Sequence, residues 1–142
     1  MLTRIDHVGI ACRDLDATIA RYTSTFGLTV ASIEVNEPQG VREAMLEVSG
    51  SPAGASYVQL LEPLGPDTPV GRFLARRGEG VHHVGYGVAD VTAALAVIGA
   101  TGARLIDERP RHGSMGASIA FLHPADLSGV LTELVQARPA AE

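Results

Sequence analysis

Two histidines, a glutamine and a glutamate stand in this sequence at places that an internal duplication makes equivalent, and their donor atoms are ones a divalent cation accepts. His7 lies in IDHVGIACRD and His83 in VHHVGYGVAD. Laid over each other, the stretches match His7 with His83, Val8 with Val84, Gly9 with Gly85 and Asp14 with Asp90, each pair 76 positions apart (83 − 7). YVQLL and LTELV agree at nearly that offset, setting Gln59 against Glu133, 74 apart (133 − 59). Two imidazoles, an amide oxygen and a carboxylate form an N2O2 set, which without cysteine suits an octahedral ion with two open positions better than a closed structural zinc. These donors do not separate cobalt, manganese, nickel and zinc.

Each of these residues has a plainer reading alone. A single histidine on a strand is ordinarily a hydrogen-bonded interior residue or a surface one, and a glutamine there a polar edge residue. Glu133 alternates with Leu131 and Val135, so its carboxylate falls on an apolar face, costly without a cation beside it. No Lys or Arg occurs in that strand. Equivalence across the repeat is what selects the four. His82 corresponds to Asp6 and faces away from His83, and His123, before Pro124, serves a turn. His112 and Ser114 lie in a polar, glycine-bearing loop, either solvated or in contact with a substrate.

The elements that must carry these residues follow from periodicity. Alternation places His7 with Gly9 and Ala11 on one strand face, and His83 with Gly85 and Gly87, so both histidines have small neighbours where something other than side chains can fit. Asp14 caps a helix over 15–26 that Gly27 stops. Strands are expected over 28–34, 41–48 and 56–62, with turn chemistry at 36–40 and a loop at 49–55. Thr68 and Pro69 open a short helix ending near Gly78. A strand then starts at Val81, followed by a helix capped by Asp90 that buries Val91, Ala94, Leu95 and Ile98 and ends at Gly99 or Gly102. A strand beginning at 105–107, a loop at 108–116, strands over 118–122 and 130–136 and a frayed tail complete the chain. The fold class is α+β: one domain of two tandem βαβββ modules, about 3–62 and 80–137, joined by a linker with a short helix at about 63–79. Their strands are expected to curve around a shared space that His7, Gln59, His83 and Glu133 face.

Composition bounds the rest. The chain has 142 residues, 46% hydrophobic and 19% charged, with net charge −5, ordinary for one soluble domain. That charge, without a run of Lys or Arg, argues against nucleic acid as a partner. Cys12 is the only cysteine, so no internal disulfide forms and a reducing cytoplasm fits. The first residues enter a strand without an export signal, and no apolar run is long enough to span a membrane.

The segments IDHVGIACRDLDATIARY, YVQLLEPLGPDTPVGRFLARRGEGVHHVGYGV and HGSMGASIAFLHPADLSGVLTELVQ together resemble the vicinal oxygen chelate superfamily, and within it the methylmalonyl-CoA epimerases. The likeness runs from about Ile5 to Gln136. It implies paired βαβββ modules, a divalent metal, usually cobalt in bacterial members, and a homodimer. It also implies interconversion of (2R)- and (2S)-methylmalonyl-CoA by moving the proton on C2. The family's metal ligands fall on His7, Gln59, His83 and Glu133, and a family catalytic carboxylate falls on Glu43.

For that reaction the lost proton leaves an enolate, and inversion needs one base on each side of the reacting plane. Glu43 is the candidate for one base. Alternation places it on the face of Met45, which Glu47 shares. Glu133 is the candidate for the other. Ser114 and the amides of HGSMG are candidates for the substrate carboxylate, and Arg72, Arg76, Arg77, Arg109 or Arg111 for the CoA phosphates. A glyoxalase I type lyase acting on a glutathione hemithioacetal is the rival enzyme. A dioxygenase, with its triad of two histidines and a carboxylate, leaves Gln59 without a purpose. A non-catalytic module that sequesters antibiotics needs no donors at four equivalent positions.

Overall fold

Helix starts and stops fall where side-chain caps dictate. Asp14 accepts the amide of Ala17 at 3.0 Å and Asp90 that of Ala93 at 3.0 Å, which sets the first turns of α1 (Leu15–Phe26) and α3 (Val91–Ala100). Gly27 closes α1 at φ 69, a left-handed cap that costs glycine nothing. Thr68 caps α2 (Pro69–Arg77) by accepting from Gly71. A side chain at Gly71 would strike the backbone of Gly65 and Pro66, so the helix start packs directly on that turn.

The computed structural model describes residues 1–48 and 56–139. Its strands are β1 (Leu2–Ala11), β2 (Thr29–Asn36), β3 (Val41–Glu47), β4 (Tyr57–Pro63), β5 (Gly80–Val88), β6 (Arg111–His112), β7 (Ser118–Leu122) and β8 (Thr132–Gln136). The element order is therefore βαβββ twice, with α2 between the runs. Two compact units result, one of His7–His82 and one of Met1–Asp6 with the chain from His83 onward. Strand β1 contributes to both.

In the unit of His7–His82 the strand order is β2-β3-β4-β1. β1 and β4 run parallel, with Gly9 opposite Gln59, and β3 is antiparallel to β4, with Met45 opposite Gln59 and Glu43 opposite Leu61. One face of this sheet packs Cys12, Ala44, Leu46 and Leu60 under Leu15 of α1; the other packs Ala11, Val41 and Leu61 under Val70 and Leu74 of α2. Leu60 is fully buried. Leu60→Ala is expected to cost about 2–5 kcal/mol of stability through lost contacts and a residual cavity, read as a lower urea midpoint at unchanged slope.

The other unit repeats the plan, β5 and β8 running parallel with Gly85 opposite Glu133, and β7 antiparallel to β8. Here α3 covers Val88, Ala120, Leu122 and Leu134 with Val91, Ala94 and Leu95, and Ile98 packs against the edge of that cluster. Ala117, Ile119, Phe121 and Val135 occupy the opposite face. The repetition extends to detail. The first amide of α1 is accepted by Glu62 at 2.6 Å and that of α3 by Gln136 at 3.0 Å, both acceptors standing just beyond the paired Gln59 and Glu133.

Two expectations are corrected. Residues 105–107 form no strand, only an isolated bridge from Leu105 to Leu122. The Asp107 carboxylate takes the Phe121 amide at 2.9 Å, while the Ile106 and Asp107 amides share the Phe121 carbonyl. A side chain thus replaces the ladder there. The module's second strand is instead β6, inside the stretch read as a loop. The expected loop at 49–55 lies outside the described residues. Of the tail, 137–139 has no regular secondary structure, and 140–142 is outside. Among the described residues no helix is long and apolar enough to cross a membrane.

Candidate metal and proton-transfer site

In the unit of His7–His82 the parallel pairing of β1 with β4 sets the first group of donors. His7 is two residues before Gly9, whose partner is Gln59, so His7 and Gln59 emerge on one sheet face. That is also the face of Glu43 and Met45. His7, Glu43 and Gln59 are all buried. Gln59 Nε2 donates to Glu43 Oε2 at 3.0 Å in a fully buried contact. Glu43, one of two glutamates sharing this face of β3, is the buried one; Glu47 at the strand end is partly exposed.

The unit containing His83 sets the second group by the same rule. His83 is two residues before Gly85, whose partner is Glu133. Both are buried, with His83 Nε2 3.5 Å from Glu133 Oε2. That separation is long for a charge-assisted hydrogen bond, normally about 2.7–2.9 Å. It fits two atoms each about 2.0–2.2 Å from a common cation. The donor chemistry and the spacing therefore both suit a divalent ion. Phe121, opposite Glu133 in the register, presents its ring edge-on to His83 at 5.5 Å and holds the imidazole against the sheet.

His82 faces away, as alternation requires, and meets Phe73 of α2 edge-on at 5.0 Å. Burial pushes its imidazole down to about 4 from 6.5. Between those values the unfolded chain binds a proton that the folded one refuses, so stability is lost as pH falls from about 6.5 toward about 4. The loss amounts to about 3 kcal/mol at most. His82→Phe, which keeps the ring contact, should remove that part of the slope in denaturant titrations of the metal-free protein. An unchanged slope would contradict this assignment.

The remaining candidates are more peripheral. His112 is exposed on β6 opposite Ser118, and Ser114 opens a 3-10 turn, accepting the Ala117 amide at its carbonyl. Both lie toward the β6 edge, with β7 between β6 and the strand of Glu133. Of the arginines, Arg111 pairs with Asp107 at 3.1 Å and stacks over Phe121 at 5.6 Å. Arg72 bonds the Asp67 carbonyl. His123 serves its turn by accepting the Ala125 amide at Nδ1. At Gly87 it is Thr3 and Arg4 that occupy the space beside the glycine, so here the small residue accommodates protein side chains rather than a ligand. Phe121 went unnoticed in the sequence, although the repeat offset places its strand beside Glu133.

A family model for the glyoxalase/bleomycin resistance protein/dioxygenase superfamily matches residues 6–121. An ethylmalonyl-CoA/methylmalonyl-CoA epimerase of Cereibacter sphaeroides is 35% identical over 138 residues, covering 96% of this chain and 99% of its own length. Among solved structures, a methylmalonyl-CoA epimerase in complex with methylmalonyl-CoA and NH4+ shares 57% identity, covers 96% of each chain and superposes with a TM-score of 0.93. The Mycobacterium tuberculosis methylmalonyl-CoA epimerase is 40% identical with a TM-score of 0.92, covering 97% of this chain and 90% of the other.

Proposed function

Because the chain belongs to the glyoxalase/bleomycin resistance protein/dioxygenase superfamily, and within it to the methylmalonyl-CoA epimerases, we infer that it interconverts (2R)- and (2S)-methylmalonyl-CoA by proton transfer at C2. The observation that carries this reading is the pair of buried donor groups at repeat-equivalent positions, one of them beside a buried glutamate. We assign His7, Gln59, His83 and Glu133 as ligands of one divalent ion. His7, His83 and Glu133 are buried, each with a ligand atom to offer, and Gln59 completes the N2O2 set. Cobalt is the metal proposed, on the family resemblance.

When bound, the ion supplies positive charge beside the oxygen on which negative charge develops as the proton leaves. The protein residues do the proton handling. Glu43, buried and held by the Gln59 amide, removes or returns the C2 proton on one face of the reacting carbon. Glu133 serves the other face with whichever oxygen is not ligating. Two bases are needed, since a single base returning its proton to the same face regenerates the starting isomer. Ser114 and His112 are proposed as substrate contacts beyond these carboxylates.

We further propose a cytoplasmic homodimer. Strand β2 ends the sheet of its unit and exposes Val30, Ile33 and Val35, an apolar edge suited to pairing with a second copy. A sedimentation mass of a single chain would refute the dimer. The activity is tested by incubating cobalt-loaded protein with (2R)-methylmalonyl-CoA in deuterated water. Deuterium at C2 with racemisation supports it; no exchange, or turnover of a glutathione hemithioacetal instead, overturns it.

A further inference from the structure

We propose that Glu43 has a second task, as the positioning residue that fixes which end of the Gln59 amide faces the metal. The inference rests on the reading that Gln59 is a ligand. A glutamine side chain can bind a cation only through Oε1; its NH2 end has no lone pair available. The two ends are nearly the same size, so packing alone cannot choose between them. The choice must come from a hydrogen-bond partner that accepts and does not donate.

Glu43 is such a partner. As a carboxylate it only accepts, and Oε2 takes the hydrogen bond from Gln59 Nε2 at 3.0 Å inside the sheet. Reversing the amide would set two oxygens against each other in a buried place, with both residues below 6% exposed. With Nε2 committed to Glu43, Oε1 is turned to the side away from it. Neighbouring strands keep the two residues in range, since Met45 is the register partner of Gln59 and Glu43 stands two positions before Met45 on the same face. The proposed base thereby also organises a proposed ligand. Repeat symmetry does not require this, because Glu133 offers oxygen at both ends and needs no such orientation.

The test is calorimetric binding of Mn2+ to metal-free protein, independent of turnover. Glu43→Met removes the acceptor at similar volume and should weaken Mn2+ about tenfold, with Glu43→Leu as a second variant expected to match it. Glu43→Gln can accept the same N–H through its carbonyl but can also turn and donate to Oε1, so it should fall between wild type and Glu43→Met. The long-range attraction of the lost charge is separated by repeating Glu43→Met in a Gln59→Ala background. There the loss should shrink to what the missing charge alone contributes, because no amide remains to be oriented. An equal loss in both backgrounds, or wild-type affinity in both Glu43→Met and Glu43→Leu, overturns the proposal. Wild-type affinity in Gln59→Ala alone instead overturns the ligand assignment on which it rests.

Discussion

Glu43→Gln is expected to lower kcat by about 10²–10⁴-fold, the usual contribution of a positioned general base, while metal content and fold are retained. The substitution preserves volume and keeps an acceptor for the Gln59 amide at the position where the structure has a 3.0 Å hydrogen bond. What it removes is a basic oxygen in a buried place. Loss of an interaction made mainly in the transition state should lower kcat and kcat/KM together. The isotope pattern is more telling than the rate. With one base left, a single epimer should exchange its C2 proton with solvent deuterium and return it to the same face, giving exchange without racemisation. Full racemisation at the wild-type rate would remove Glu43 from the mechanism.

His83→Ala should strip the metal, with affinity falling by more than the roughly 10–100-fold that loss of a mere ligand-supporting contact costs. Removing the ring takes away a nitrogen donor and leaves Glu133, 3.5 Å from it, buried without its neighbour. It also empties the space against Phe121, so a lower melting temperature should accompany the loss. His82→Ala is the control. That side chain is adjacent in sequence but faces Phe73, and its removal should leave metal content unchanged after dialysis. The reverse outcome, metal lost with His82 and kept with His83, would mean that the repeat was laid in the wrong register. His7→Ala should behave as His83→Ala does, since the duplication makes the two positions equivalent.

Helices were legible because their signals are local. Asp14, Thr68 and Asp90 cap where a short polar side chain can reach an amide three residues on, and Gly27 stops α1 because only its backbone takes φ 69 cheaply. Strand existence was also legible, through alternation, but ends drifted by one or two residues. Ladders stop where partners stop, which alternation within one strand does not encode. The failure at 105–107 has the same origin. Leu105 and Ile106 look like a strand, yet the Asp107 carboxylate captures the amide of Phe121, fourteen residues away.

The sequence by itself determined which residues are equivalent. Offsets of 76 and 74 matched His7 with His83 and Gln59 with Glu133, and alternation fixed the face each takes on its own strand. That His7 lies beside Gln59 and His83 beside Glu133 came from strand pairing, β1 with β4 and β5 with β8. Only the tertiary structure decided that Glu43, and not Glu47 on the same face, is buried against Gln59, and that Phe121 braces His83. Those contacts depend on the register between strands, and register is set by the packing of whole hydrophobic faces under α1, α2 and α3 rather than by any residue near the site.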